Sequence, residues 1–345
     1  IFLHSMAASM TDGIGLSETD TILPVVPMFH ANAWGLAHAC MMVGSNIVLP
    51  SRFMDPARLA KVMEQEHVTV AGGVPTIWIN MLGVLQKQKY DFSALRTVIC
   101  GGSAVPKALI EALQKNGITI VQAWGMTETS PLATVSRVRS YQMNEPSDEQ
   151  FRVRARQGTA ALGVDLRVVD IETGKEVPWD NETFGEIQVR GPWIAKTYYS
   201  DTESAAKFAD GWLRTGDVAV IDEDGIIQIV DRTKDLVKSG GEWISSVELE
   251  GIIMGHPKVL EACVIAIPHE TWVERPLACV VPKPEFMGQV TKEEIMDFLR
   301  PQVAKWWLPD DVVFIDAVPK TSVGKFDKKV LRKQFAMRET GVSGL

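Results

Sequence analysis

Short apolar blocks and amphipathic stretches alternate along the first third of the chain. Thr21 to Val26, Val68 to Ala71, Leu95 to Cys100 and Ile118 to Gln122 are short apolar runs that predict buried strands. Asn46 to Leu49 predicts a further strand. Helical patterns lie between them: Trp34 to Val43, Ala57 to His67 after the Asp55-Pro56 start, Pro75 to Lys87, and Pro106 to Asn116, stopped by Gly117. Alternation of this kind predicts a parallel, doubly wound α/β sheet, whose ligands bind beyond the carboxyl ends of the strands. Two glycine-bearing junctions fall at such ends, Gly101-Gly102-Ser103 and Trp124-Gly125-Met126-Thr127-Glu128-Thr129.

After Gln157 the period changes. Val164 to Asp170, Phe184 to Arg190, Asp217 to Ile221 and Ile226 to Val230 read as strands, with Glu223-Asp224-Gly225 as a hairpin turn, and together predict a β-rich subdomain. Asp231 to Ser239 is a polar crossing segment. A compact α+β unit is expected beyond it: a helix from Ser246, strands at Val259 to Ile267 and Leu277 to Val281, a helix from Lys292 to Val303, and a strand at Val312 to Ile315. The expected organisation is a large domain over residues 1–230, a linker over 231–236 and a small C-terminal domain over 237–345, with the boundary near Lys234.

Composition narrows the function. A chain of 345 residues with 46% hydrophobic and 23% charged positions has material for about two cored domains, not for global disorder. A net charge of −8 argues against a general nucleic-acid binder, which needs a basic face. Cys40, Cys100, Cys263 and Cys279 lack metal-knuckle spacing and are too sparse for a secreted disulfide scaffold, so a reducing, cytoplasmic setting is expected. No charge occurs between Asp20 and Arg52, but Pro24, Pro27 and polar residues such as His30 and Asn32 break this stretch, favouring buried strand, loop and helix over a membrane span. The start IFLHSMAASM has no basic n-region and is not a signal peptide; it reads as the interior of a longer protein.

Candidate chemistry clusters at a few places. A carboxylate after a hydroxyl at a strand end, Thr127-Glu128, can hold Mg²⁺ while the hydroxyl meets a phosphate, and Trp124 offers a flat face for a base; the plain alternative is a strand–turn with a capping threonine. Gly101-Gly102-Ser103 lets a flat ring approach backbone, or is an ordinary βα turn. Asp217, after a tight turn in Trp212 to Asp217, can accept two ribose hydroxyls, or is a turn residue. Asp231-Arg232-Thr233-Lys234-Asp235 is either a solvated linker or a hinge whose arginine meets a nucleotide. Pro319 to Lys325 is a loop able to deliver Lys325 as a point charge to a carboxylate and phosphate, or carries a surface lysine.

In this order and spacing the segments Trp124 to Pro131, Gly211 to Asp217, Asp231 to Ile244 and Pro319 to Lys325 resemble the adenylate-forming superfamily of acyl-CoA synthetases, luciferases and peptide-synthetase adenylation domains. Val26 to Trp34 and Lys238 to Ser245 look most like long- and medium-chain fatty-acyl-CoA synthetases. The resemblance implies two steps: a fatty carboxylate attacks the α-phosphorus of ATP to give acyl-AMP and pyrophosphate, then a small mobile C-terminal domain rotates and the thiol of coenzyme A attacks the adenylate. It implies that Thr127 contacts phosphate and Glu128 holds Mg²⁺. Gly101, Gly102, Ser103 and Trp124 frame the adenine, with Gln122 and Gly125 in the same nucleotide site. Asp217 binds the ribose of ATP/AMP with help from Arg232. Lys325 stabilises charge during adenylation and Lys234 is the hinge. Gly240, Gly241, Glu242 and Trp243 face coenzyme A after rotation. His30, Trp34, Val74 and Thr76 line an acyl tunnel, Trp34 being either its gate or simply core.

By the same resemblance the Ser/Thr/Gly-rich phosphate loop and the first subdomain should precede Ile1, so this chain alone is expected to be a poor catalyst. The stretch Gly158 to Asp165 also lacks the prolines usual in relatives. Peripheral membrane contact and a homodimer are compatible with the reading. The rivals are a ligase of the same superfamily for a shorter or aromatic acid, a truncated nucleotide-binding module without full activity, and, more distantly, a dehydrogenase, against which stands the lack of a GxGxxG before the first helix.

Overall fold

The computed structural model describes residues 1–10, 14–51, 54–199, 203–320 and 326–336. The chain forms two compact units, Ile1–Thr215 with Ala219–Ile229 and Gly216–Val218 with Val230–Leu345. The first unit opens with α1 (Phe2–Met10), β1 (Thr21–Pro24), the single turn α2 (Ala31–Trp34), α3 (Leu36–Val43), β2 (Asn46–Ile47), α4 (Pro56–Gln65), β3 (Val70–Gly73) and α5 (Pro75–Leu85). It continues with β4 (Thr97–Cys100), α6 (Lys107–Gln114), β5 (Ile120–Gly125), β6 (Leu132–Val135), α7 (Ser147–Ala155) and β7 (Thr159–Ala160). These strands form one seven-stranded sheet in the order β2-β1-β3-β4-β5-β6-β7, parallel from β2 to β5 and antiparallel beyond.

Strand periodicity explains why both faces are covered. Ile22, Val70, Ile99 and Val121 point to one face, where Ala7 and Ala8 of α1 and Leu36, Ala39 and Cys40 of α3 meet them. Their neighbours Leu23, Ala71, Val98 and Ile120 point to the other, against Leu59 and Met63 of α4, Trp78 and Met81 of α5, and Leu109, Ile110 and Leu113 of α6. Helix starts follow local chemistry: the Asp55 side chain accepts from Arg58 N, with Pro56 at the first position. Strands β8 (Asp165–Val169), β9 (Gly185–Arg190), β10 (Leu213–Ile221) and β11 (Ile227–Arg232) form a second sheet in the order β11-β10-β9-β8.

Several sequence expectations change. The helix expected from Trp34 begins at Leu36, because Ala31–Trp34 is left-handed, with φ of 43°, 54°, 52° and 60°, and Gly35 follows at 73°. The strand expected over Asn46 to Leu49 is a two-residue edge, Asn46–Ile47. Asp217 lies within β10 and not after a turn; Gly216, at φ 74°, supplies a local kink inside the strand.

One polar lock ties the parallel strands together. Asp20 is buried and accepts from Arg96 Nε at 2.9 Å, Arg96 Nη2 at 2.8 Å, Thr69 Oγ1 at 2.6 Å and Ser17 N at 2.9 Å. Asp20, Thr69 and Arg96 each directly precede a strand, so a single carboxylate sets the amino-terminal register of β1, β3 and β4.

The second unit contains β12 (Val237–Ser239), β13 (Glu242–Ile244), α8 (Ser246–Met254), β14 (Val259–His269), β15 (Val273–Pro282), α9 (Lys292–Leu299), β16 (Asp311–Phe314) and α10 (Lys328–Ala336). The sheet order is β13-β12-β15-β14, with β16 parallel on β15. Ala262 and Val264 of β14 face Leu249 and Ile253 of α8 and Ile295 and Leu299 of α9, while Cys263 and Ile265 face Leu331 and Phe335 of α10. The α9 helix ends at Leu299, short of the Val303 read from the sequence.

A buried charge network joins four of its elements. Asp231 Oδ2 accepts from Ser246 N and Ser246 Oγ, each at 2.6 Å. Lys328 Nζ stands 2.7 Å from Glu250 Oε1 and also bonds Ser246 Oγ, and Glu250 Oε1 accepts from Val264 N at 2.8 Å. Burial raises Glu250 against the ordinary glutamate value; burial opposes the charged form of Lys328, yet Glu250 and Asp231 together push it upward. In this segment Asp231 and Asp235 are buried, while Arg232 and Lys234 between them are exposed.

Two stability measurements follow. Burial alone would raise Asp20, but the bonds from Arg96, Thr69 and Ser17 hold it at about 2 against the ordinary 3.8. Allowing for solvent around the half-exposed Arg96, the shift is worth about 2 kcal/mol of stability. This contribution is complete above the ordinary value and is lost as pH falls through the depressed one. Urea titrations of wild type and Asp20→Asn between about pH 5 and pH 2 should therefore converge as the solution is acidified. Lys328→Met strands two buried carboxylates and should cost about 3–5 kcal/mol by urea unfolding at neutral pH, with Lys328→Arg losing less.

Candidate active site

The order of the parallel strands reverses between β1 and β3, with β2 on the far side of β1. At such a switch point the loops leave in opposite directions and open a crevice beyond the carboxyl ends. The loop after β1 starts with Val25 N donating to Gly72 O at 2.6 Å. It passes half-buried His30 and enters the left-handed turn Ala31–Trp34. Such backbone costs roughly 1–2 kcal/mol per residue for side chains with a Cβ. Here it swings the Trp34 indole over the ends of β3 and β4.

Glycines make that approach possible. Atoms of the Trp34 indole lie 3.9, 3.7 and 3.8 Å from where Cβ atoms would stand on Gly72, Gly101 and Gly102. Val74 Cγ1 lies 3.3 Å from the Gly102 position, so Trp34 and Val74 both border Gly102. At Gly101 a Cβ would stand 2.5 Å from Ala123 O, and Gly102 has φ +85°; neither tolerates a side chain. Thr76 is exposed in the first turn of α5, and Ser103 is exposed after the glycines. Beneath, Trp78 Nε1 donates to Gly73 O at 3.1 Å and fixes the strand end.

β5 brings the next group. Gln122 stands opposite Cys100 of β4, beside the glycine floor. It is 2% exposed, and its Oε1 is an orphaned acceptor with no hydrogen-bond partner among the described residues. Trp124 is only 9% exposed and packs in the core, so the open aromatic face expected of it is mostly covered. Gly125 is obligatory, because a Cβ there would lie 1.6 Å from Pro131 O. The chain then makes a 3₁₀ turn, Thr127–Thr129, held by Thr129 Oγ1, which accepts from Met126 N at 2.9 Å. Thr127 stands at the start of this turn, and the capping hydroxyl is Thr129's.

Glu128 is tied into the fold at both ends. Its backbone oxygen accepts from Ala195 N at 2.8 Å, and its Oε1 takes Lys207 Nζ at 3.1 Å and the Tyr198 hydroxyl. Burial would raise the carboxyl, but the bonds from Tyr198 and Lys207 hold it below the ordinary glutamate value, so it is ionised. Tyr198 and Lys207 were not legible as site residues: Lys207 is 79 positions from Glu128, and nothing local marks either one.

The remaining predicted residues belong to the second unit. Asp217 is 7% exposed and pairs with exposed Arg232, whose Nε is 3.1 Å from Asp217 Oδ1. Thr233 N donates to Gly216 O at 2.9 Å and closes this pair of strands. Lys234 lies in the turn after β11. Gly240 and Gly241, at φ 62° and 93°, form the two-residue turn between β12 and β13, closed by the Ser239–Glu242 pair. Such a turn needs φ > 0 at both central residues. Glu242 is exposed, and Trp243 lies under the Lys238 ammonium, 5.1 Å from its ring centroid. Lys325 lies outside the described residues. Among the described residues no group of three or more His, Cys, Asp and Glu could hold a metal, and no helix is long and apolar enough to cross a membrane.

Known proteins share this layout. The model of the AMP-binding enzyme family matches residues 2–199, and that of the AMP-binding enzyme C-terminal domain matches residues 248–325. The chain is 47% identical over 338 residues to a long-chain-fatty-acid–CoA ligase of Thermus thermophilus, covering 97% of this chain and 62% of the relative. It is 41% identical to a medium-chain-fatty-acid–CoA ligase of Ectopseudomonas oleovorans, covering 96% of this chain and 60% of the relative. The crystal structure of ATP-bound MatB from Rhodopseudomonas palustris superimposes with a TM-score of 0.83 at 29% identity, over 97% of this chain and 63% of that one. The chain thus spans about three-fifths of the length of these relatives. A family match over more than half its residues, on a fold whose glycine-floored crevice and Thr127-Glu128 turn stand at the carboxyl edge, shows that the chain belongs to the AMP-binding enzyme family.

Proposed function

We propose that the protein carrying this chain is a fatty-acid–CoA ligase. It activates a long- or medium-chain acid with ATP to acyl-AMP and pyrophosphate, then transfers the acyl group to coenzyme A, releasing AMP. The observation that carries this is the placing of the Trp34 indole over Gly72, Gly101 and Gly102, with Val74 at the same Gly102, at the switch point of the sheet. Support for the substrate class comes from two relatives named for long- and medium-chain fatty acids. A relative from Ruegeria lacuscaerulensis named 3-methylmercaptopropionyl-CoA ligase, 43% identical, favours a shorter acid as the second reading.

In this reading the nucleotide lies across Gly101, Gly102 and Ser103, where missing side chains let its ring approach backbone. Gln122 offers its orphaned Oε1 to an exocyclic amino group. Gly125 lets the Thr127-Glu128 turn close tightly enough to present the Thr127 hydroxyl to phosphate. Mg²⁺, which usually binds through one or two carboxylates together with substrate phosphates, would neutralise charge on the polyphosphate. Glu128 suits that role because it is ionised and because its bonds to Lys207 and Tyr198 share Oε1. Asp217, its carboxylate oriented by Arg232, accepts the ribose hydroxyls. Lys325 supplies positive charge where the acyl carboxylate and α-phosphate meet.

The segment 231–236 is the proposed hinge, with Lys234 in its turn. It separates a large nucleotide-binding domain (1–230) from a C-terminal domain (237–345), and rotation about it would bring Gly240, Gly241, Glu242 and Trp243 to the coenzyme A arm. One site then serves two reactions, and closure keeps water from the acyl phosphate anhydride. A cytoplasmic location fits four cysteines that are all buried free thiols.

Two experiments test the reading in the protein carrying this chain. Lys325→Ala should cut fatty-acid-dependent ATP–pyrophosphate exchange at least about a hundredfold, the order of one preorganised charge donor, and spare thioester formation from supplied acyl-AMP. Equal loss in both half-reactions refutes the assignment. Trp34→Ala should alter chain-length preference with little change in melting temperature, since the indole is half-buried over glycine. Each CH₂ that loses contact with the wall lowers selectivity by up to about 0.8 kcal/mol. Unchanged preference with a loss of about 3–5 kcal/mol in stability would make Trp34 a core residue. A wild type that prefers acetate or benzoate and refuses palmitate overturns the fatty-acid class.

A further inference from the structure

The carboxylate of Glu128 already has a cation. Lys207 Nζ lies 3.1 Å from Oε1, and the same oxygen takes the Tyr198 hydroxyl. The third side of the triangle is closed as well, with Lys207 Nζ 2.6 Å from Tyr198 Oη. The ammonium also stands 5.1 Å from the Tyr198 ring centroid, and Phe208 braces that ring edge-on at 5.2 Å. Tyr198 is therefore a fixed platform and Lys207 a long, flexible arm resting on it.

We propose that Lys207 is the resident counter-ion of Glu128, seated on the carboxylate until Mg·ATP arrives and then transferred to the polyphosphate, with Tyr198 as the platform for both positions. The inference rests on the reading of Glu128 as the metal carboxylate. Its physical basis is the openness of the pair. The Lys207 side chain is 35% exposed and that of Glu128 14%, so the lysine side of this part-buried pair is open to solvent. An exposed ion pair is worth about 1 kcal/mol or less and can be exchanged by a divalent cation carrying a triphosphate. Before exchange, the ammonium bonds Oε1 of Glu128 together with the Tyr198 hydroxyl. Afterwards it is a point charge on a flexible stem beside a polyanion, where lysine serves well.

Exchange predicts a signature in binding. Without metal, ATP should draw Lys207 directly, so Lys207→Met weakens metal-free ATP. With Mg²⁺ the lysine is a competitor at Glu128, so Lys207→Met strengthens Mg·ATP. Both effects raise the ratio of ATP affinity with Mg²⁺ to affinity without it, by about fivefold for an exposed ion pair. Calorimetric titration of ATP into the protein, with Mg²⁺ and with a chelator, measures the ratio without turnover. Lys207→Arg, which keeps the charge, should stay near wild type, and melting temperatures check that the variants are folded. If Lys207→Met is unfolded, Lys207→Gln takes its place. A ratio that is unchanged or lower in the folded variant overturns the inference. Glu128→Gln in the same titration separates the two levels. If it leaves the ratio at the wild-type value, the metal reading of Glu128 fails. If it collapses the ratio while Lys207→Met does not move it, only the exchange fails.

Discussion

The carboxyl edge of the central sheet packs as it does only because its strands end without side chains. Gly72, Gly101, Gly102 and Gly125 each stand where a Cβ would meet another group, at distances from 1.6 to 3.3 Å. At Gly101 and Gly125 the obstacle is a backbone oxygen, which no rotamer change relieves. The rest of the first unit follows from keeping these ends level. The Asp20 lock sets the amino ends of β1, β3 and β4 in register, and with strands of equal length that also aligns their carboxyl ends. The left-handed Ala31–Trp34 turn then costs conformational energy to lay an indole across the gap.

Much of this was legible in the sequence. The alternation of short apolar runs with capped helices predicts the parallel sheet, because strands buried on both faces read as continuous apolar runs while the helices between them keep a polar side. Gly101-Gly102 and Thr127-Glu128 were legible as junctions because each follows such a run. Other features depend on contacts distant in sequence. The Lys207–Glu128 pair closes over 79 residues, and neither residue carries a local pattern that marks it. Trp124 shows the opposite failure. Its position at a strand end suggests an open ring, but the ladder shifts register between Trp124 and Gly125, and the indole packs in the core.

The position of Asp217 escapes a local reading for a related reason. Gly216 before it signals a turn in most contexts. Inside β10 it gives a kink, and a kink in a strand redirects the next side chain without ending the ladder. That leaves Asp217 buried to within 7% exposure yet paired with exposed Arg232, a carboxylate with a guanidinium partner at the surface. The segment after it behaves likewise. Asp231 and Asp235, which look solvated in sequence, are buried, while Arg232 between them is exposed.

Two lysine–glutamate pairs show how burial divides permanent from exchangeable charge. Lys328 and Glu250 have side chains 10% and 7% exposed, and Asp231, Ser246 and Val264 fill neighbouring bonding positions. Opening that pair would leave charges in a medium that cannot solvate them, so it is a fixed joint between Asp231, α8, β14 and α10 within the second unit. Lys207 and Glu128 make nearly the same contact, 3.1 Å against 2.7 Å, but with the lysine 35% exposed. Water can replace either partner there, so the pair holds its carboxylate in place and still yields it to a stronger cation. Equal chemistry at two depths therefore gives one joint that must not move and one that can.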